Sequence, residues 1–252
     1  MNGFSTLGRI FFGLLLFVVG AQHFIYATFV ATLVPAWIPF RYFWACFVGA
    51  AFVAAGLAIV FRKQARLAAT LLGIMFLLFV LIVHTPRIFI HPQNSNEWTS
   101  GFVALAMAGG AVIVASASRN ERYLNETNRM DKVTQIGRSL YGLAMIAFGV
   151  QHFIFARLGV GIGPPWFPVR PLWTYLAGAA IFLAGLAIML GRSVRVAAFL
   201  LGALLLLLFL FQHLPGLLTH PHDPGKWASG FEILGMSGAA FALLGTLRKA
   251  NS

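Results

Sequence analysis

Long apolar stretches separated by short polar breaks set the pattern of this chain. Eight of them fall near residues 7–25, 43–61, 67–85, 99–117, 136–154, 172–190, 194–212 and 228–247. A helix needs roughly 17–25 residues to cross a hydrocarbon layer of about 30 Å, and each stretch supplies them. Backbone polar groups cannot stay unpaired in lipid, so every stretch is expected to be helical. The first has the length of a signal-peptide core. Its counterpart at 136–154 is internal and no small-x-small cleavage pattern follows it, so it is read as mature structure.

The pattern repeats. Positions 8–117 align without a gap on 137–246, a shift of 129 residues, with 44 identities in 110 positions. Both halves carry H-x-P-x4-H-P-x5-W-x-S-G-F: His84, Pro86, His91, Pro92, Trp98, Ser100, Gly101 and Phe102 are answered by His213, Pro215, His220, Pro221, Trp227, Ser229, Gly230 and Phe231. Gln22-His23-Phe24-Ile25 returns as Gln151-His152-Phe153-Ile154. Self-similarity of this kind marks a duplicated unit. The expected architecture is an all-α integral membrane protein with eight transmembrane helices, arranged as two parallel four-helix repeats. The units are 1–117 and 136–252, joined by a linker at 118–135. Four crossings per unit is an even number, so the halves should share one orientation and be related by a pseudo-two-fold axis along the membrane normal.

Composition agrees with a lipid environment. The chain is 60% hydrophobic and 10% charged, against roughly 25% charged in soluble domains. The net charge of +12 would suit nucleic acid, but the basic residues lie in the breaks between apolar runs and are read as topology signals, with no nucleic-acid partner. Thirteen fall on the side of Arg9, Arg62, Lys63, Arg66 and the linker, and five (Arg41, Arg87, Arg157, Arg170, Lys226) on the other. That asymmetry predicts cytoplasmic termini, in a bacterial inner membrane. Asn125-Glu126-Thr127 is then a glycosylation pattern on the wrong side. The single cysteine, Cys46, excludes an internal disulfide. Small residues three and four apart, as in Gly49, Ala50, Ala54 and Gly56 and again at Gly178, Ala179 and Gly185, are the signature of close helix packing in lipid.

Candidate chemistry centres on the histidines, all expected at the outward-facing end. His23 and His152 close helices 1 and 5. His84 and His213 close helices 3 and 7, where Pro86 and Pro215 are expected to help stop the helix. His91 and His220 precede prolines, which biases them to extended backbone. Helices 1 and 3 are diagonal in an up-down bundle, so His23 can face His84, and His152 can face His213, across a core. Imidazole ligates metals and haem and carries protons. Haem between each pair, or a transition metal held by His23, His84 and His91 and by His152, His213 and His220, is the sharper expectation. The plainer one is interfacial histidines bonded to loop backbone.

The outer connections carry Pro35-x-Trp37-x-Pro39-x-Arg41 and Pro164-x-Trp166-x-Pro168-x-Arg170. Their apolar surroundings predict an interfacial segment that lids the histidine end. Trp37, Trp166, Arg41 and Arg170 become candidate contacts for a headgroup, a carboxylate or a quinone carbonyl, with snorkelling to lipid phosphate as the simpler role. Glu232 stands where the first half has Val103, and an acid at membrane depth is a functional candidate. His222 and Asp223 also lack first-half counterparts.

Several short motifs resemble the DoxX/DoxD-like membrane proteins. They are Gly8-Arg9 opening helix 1, Gly20-x-x-His23-Phe24 near its end, Gly56-Leu57 in helix 2, and Arg66-Leu67-Ala68-Ala69 opening helix 3. The resemblance implies a four-helix unit per half and a link to quinone-coupled oxidation of sulfur compounds or to thiol and superoxide defence. The tandem arrangement and the H-x-P-x4-H-P motif depart from it. The expected function is therefore a membrane redox component. It would bind haem or a metal at the histidines and exchange electrons with a quinone-like molecule or a periplasmic redox partner. The alternatives are a non-redox carrier or binding protein for a small lipophilic or anionic solute, and a scaffold subunit.

Overall fold

The computed structural model describes residues 3–118, 132–158 and 168–247. All regular structure among them is helical. In chain order the elements are α1 (Gly3–Ile25), α2 (Ala27–Leu33), α3 (Arg41–Val60), α4 (Ala65–Phe79), α5 (Thr85–Ile90), α6 (Ser95–Ala117), α7 (Lys132–Arg157), α8 (Arg170–Leu190), α9 (Val194–Leu208), α10 (Leu214–Thr219) and α11 (Pro224–Leu243). A π-helical turn, Val80–His84, joins α4 to α5, and another, Phe209–His213, joins α9 to α10. Eight helical spans are long and apolar enough to cross a membrane, the third and seventh running through their π turns as Ala65–Ile90 and Val194–Thr219. The apolar faces left outward, including Leu71, Ile74, Leu78 and Leu200, suit contact with lipid.

Two expectations on helix ends are corrected. Pro86 and Pro215 do not stop the third and seventh spans, which continue to Ile90 and Thr219. A proline in an α-helix collides with the carbonyl four residues back and has no N–H to offer it. The π turn just before it widens the helix and removes that conflict. The Thr85 N–H reaches the Val80 carbonyl five residues back, and the Thr85 Oγ1 hydroxyl donates to the same oxygen at 2.7 Å. The linker is also shorter than expected, because 132–135 already belong to α7; the remainder of it, 119–131, and the 159–167 segment with Pro164 and Trp166, lie outside the described residues.

Local features recur at the 129-residue spacing. The π turns do, and so does left-handed backbone before helices, at Phe40 and Val169 and at Gln64 and Ser193. Helix packing follows the same rule. Within each half α1 lies on α3 and α7 on α8, while α4 lies on α6 and α9 on α11. Across the halves α1 lies on α11, α6 on α7 and α6 on α11. These crossings are tight: a Cβ on Gly8 would stand 2.4 Å from the Gly238 carbonyl oxygen, and one on Gly109 2.7 Å from that of Gly137. Small residues thus let backbones meet, as packing in lipid requires. The central helices α6 and α11 are the most buried, and Tyr141 of α7, fully buried, donates its hydroxyl to the Met236 carbonyl of α11 at 2.7 Å.

Arg9 is also buried, and its guanidinium donates to the carbonyls of Ile59 and Val60, the latter at 2.7 Å. The last carbonyls of a helix lack intrahelical partners and carry its negative dipole end. Arg9 therefore caps α3 from α1, besides counting as a topology charge.

Two histidine-lined cavities as the candidate functional site

His23 lies in the last turn of α1. Its Nδ1 is 2.8 Å from the Val19 carbonyl oxygen, one turn back. A carbonyl only accepts, so Nδ1 carries the hydrogen and the neutral ring leaves Nε2 as an open acceptor. His152, in the same position on α7, makes the same 2.8 Å bond to Phe148. Glycines opposite bring the helices together here. A Cβ on Gly49 would lie 2.6 Å from the His23 Cβ, and one on Gly178 would lie 2.7 Å from that of His152. The His23 ring also stands edge-on to Phe52, centroids 5.3 Å apart.

His84 and His213 are the last residues of the two π turns. π turns occur often at functional sites, because the extra residue re-aims the side chains beyond it. Here His84 lines the same cavity as His23, and His213 the same cavity as His152. A first-span and a third-span histidine thus line each cavity. The His84 Nδ1 is buried and has no hydrogen-bond partner among the described residues, and neither has the buried Gln212 Oε1 beside His213.

The first cavity has a volume of about 350 Å³ and is walled by Leu16, Phe52, Phe76, Phe79 and Met107. It adjoins a chamber of about 330 Å³, also lined by His23 and His84, whose outer wall is Val30, Leu33, Val34, Pro35 and Ile38. So α2 and the chain after it do cover the histidine end. The second cavity, about 270 Å³, is walled by Phe148, Phe155, Ile181 and Leu205 around His152 and His213. Pockets for small organic molecules begin at about 300 Å³, and a water fills about 30 Å³ of liquid. Each cavity is therefore on the scale of a ring or headgroup.

Thr99, Val103 and Glu232 line both main cavities. Val103 on α6 and Glu232 on α11 are equivalent positions, so the partition between cavities is apolar on one side and acidic on the other. The Glu232 carboxyl has no hydrogen bond or ion pair among the described residues.

The third histidine of each set is elsewhere. His91 and His220 are exposed and line neither main cavity. Because the helix runs on past Pro86 and Pro215, they stand at the C-caps of α5 and α10. Among the described residues no three His, Cys, Asp or Glu side chains gather as a metal ion would need. The three-nitrogen sets His23, His84, His91 and His152, His213, His220 are therefore not assembled.

The repeated prolines and tryptophans of the motif have a structural part. The Trp98 indole N–H donates to the Pro92 carbonyl at 3.0 Å and that of Trp227 to Pro221 at 2.9 Å, closing each H-P-x5-W loop. Asn94 and Asp223 occupy matching N-caps, accepting from the N–H of Asn96 and of Gly225 and Lys226. That gives Asp223 a capping role. His222 is exposed.

Arg41 and Trp37 are exposed and outside the cavities; Arg41 donates to the Ala36 carbonyl of its own loop at 3.3 Å. Arg170 is likewise exposed. The arginine that does reach a histidine chamber is Arg87, beside Trp44 and Ser100. Sequence reasoning passed over it because its equivalent is Gly216. Gln22 and Gln151 were also unassigned. Each reaches across to the other half, Gln22 Nε2 to the Pro224 carbonyl and Gln151 Nε2 to Thr99 Oγ1, both at 3.2 Å. The Gln-His pair thus joins a contact between halves to a cavity ligand.

Fold and site together define an all-α integral membrane protein with internal, histidine-lined cavities. No family model matches the chain, and no curated protein or solved structure is significantly similar to it.

Proposed function

We propose that this protein binds a small lipophilic molecule bearing polar groups inside the membrane, one position in each half, with a paired histidine set as the recognition element. The observation that carries this reading is the pairing itself. His23 with His84, and His152 with His213, line apolar, aromatic cavities, and His23 and His152 are fixed by backbone bonds that leave Nε2 open. A preformed apolar pocket with a few placed polar atoms is the usual form of such a site. Quinone-like headgroups belong to the class of molecule described. In this reading the two DoxX/DoxD-like units lie parallel about a pseudo-two-fold axis, in a bacterial inner membrane with both termini cytoplasmic.

A second reading has one specific observation in its favour. An Nδ1 held by a carbonyl, with Nε2 free, is how proteins set a histidine for a metal or haem. A haem held by the two imidazoles of one cavity would supply one-electron chemistry toward a quinone-like partner. His23 with His84, or His152 with His213, would be its ligands.

One preparation separates these readings. The protein is purified without chelators, its spectrum and metal content are measured, and an organic extract is analysed by mass spectrometry. The binding reading expects no Soret band and a lipophilic molecule retained by the wild type but lost from His23→Ala and His152→Ala. A Soret band abolished by the same substitutions selects the haem reading. A colourless protein that retains nothing and binds no added alkylphenol or quinone overturns both. A reporter after Ser252 that reads external would overturn the orientation.

A further inference from the structure

The partition between the cavities has a chemistry of its own. Once the existing hydrogen bonds are subtracted, several of the polar atoms left facing the two spaces are acceptors without a donor, beside the single N–H that each neutral ring of His84 and His213 carries. His23 and His152 spend their Nδ1 hydrogens on Val19 and Phe148, leaving Nε2 lone pairs. Gln151 spends an Nε2 hydrogen on Thr99, and Thr99 spends its own on the Ser95 carbonyl at 2.9 Å. Ser229 donates to the Lys226 carbonyl at 3.2 Å. Gln212 presents a buried Oε1 with nothing donating to it. At the centre stands Glu232, whose carboxyl lines both cavities and is unpaired among the described residues. No lysine or arginine lines either space.

An acceptor buried without a donor costs free energy, and several such acceptors around an apolar space select a ligand that brings hydrogens. The walls add a second criterion. Phe52, Phe76 and Phe79 on one side and Phe148 and Phe155 on the other present ring faces and edges, which suit an aromatic body. We infer that the chamber selects lipophilic phenols, including hydroquinone-type rings, over their oxygen-capped counterparts, with the hydroxyl hydrogen donated to Glu232 or to the Nε2 of His23 or His152. This rests on the binding reading above and names the ligand class for it. It also gives Glu232 a reason to differ from Val103: one acid at the partition serves both lobes.

The test uses the full chain in lipid nanodiscs, with empty nanodiscs as the partition reference. Binding of 4-octylphenol is compared with binding of 4-octylanisole, which keeps ring and tail and replaces only the hydroxyl hydrogen by a methyl group. Leaving a buried acceptor without a donor corresponds to roughly fivefold to hundredfold in affinity, so the phenol should bind about tenfold more tightly. Glu232→Val, which restores the residue of the other half, and Glu232→Gln, which keeps the shape, should each shrink that ratio severalfold. Equal binding of phenol and anisole by the wild type overturns the inference and leaves the binding reading standing. A tenfold ratio unchanged in both variants overturns the role given to Glu232. Binding of neither probe overturns the inference together with the reading it rests on.

Discussion

Gly49→Ala is the substitution that most directly tests the link between helix packing and the histidine site. The added Cβ would lie 2.6 Å from the His23 Cβ, 3.1 Å from the Gly20 carbonyl oxygen and 3.2 Å from a Phe24 ring carbon. Ordinary contact begins near 3.4 Å, so α1 and α3 must part by at least about 0.8 Å at this level. Two of the three obstacles are a Cβ and a backbone oxygen, which cannot swing aside. Overpacking of this kind costs about 1–3 kcal/mol. The same displacement moves the His23 imidazole within its cavity by a comparable distance, enough to lose most of one hydrogen bond and weaken ligand binding about tenfold. Gly13→Ala is the control. Its Cβ meets Val60 at 2.5 Å and the Gly56 carbonyl at 2.9 Å, on the same helix pair. It lies ten residues from His23, about 15 Å along the helix. Thermal unfolding in detergent should show similar losses for both variants, and binding in nanodiscs should fall only for Gly49→Ala. If Gly49→Ala leaves binding unchanged, or Gly13→Ala weakens it equally, the proposed coupling between helix spacing and the site is wrong.

Three further outcomes follow from other parts of the molecule. Pro86→Ala removes the cause of the first π turn. Regular α-helix there would rotate His84 by about 100° relative to the preceding span, so binding stoichiometry should drop from two to one while Pro215 keeps the second cavity. Arg9→Met strands the Ile59 and Val60 carbonyls at the end of α3; a loss of roughly 2–3 kcal/mol should appear as a clear fall in unfolding midpoint, with residual ligand affinity unchanged in the folded fraction. Arg41→Ala should leave both stability and binding within error in the same assays, because its guanidinium is exposed and, among the described residues, bonds only to Ala36.

The spans were legible in the sequence because they depend on local, one-dimensional signals, and the four histidines that line the cavities were marked by their recurrence. Length and hydropathy locate a helix in lipid, and a 129-residue repeat exposes positions that recur. The features that the sequence hid are those where a regular helix is broken or where two distant helices share a wall. Pro86 reads as a stop until a π turn lets the helix pass, and that single change carries His91 out of the site. Glu232 reads as an isolated acid, since nothing local says that α11 and α6 border the same two cavities. Arg41 looked functional because it recurs at Arg170, whereas Arg87, which lines a chamber, has no counterpart and drew no notice. The Trp98 and Trp227 loops show the converse: recurrence there reflects a hydrogen bond that closes a turn.

The way the halves interlock has a consequence for how the protein is made. The face of α1 that carries Gly8 and Phe12 is covered by α11, whose glycine Gly238 it meets. Some 200 residues separate the two helices in the chain. At about 5–20 residues per second of synthesis, α1 waits on the order of 10–40 s in the membrane before its partner exists. During that interval the face that will meet α11 lacks its partner, while α3 holds Arg9. The insertion machinery must therefore keep the first helix from pairing with a neighbouring nascent chain. Truncation after the fourth span should leave a unit that inserts but associates with copies of itself.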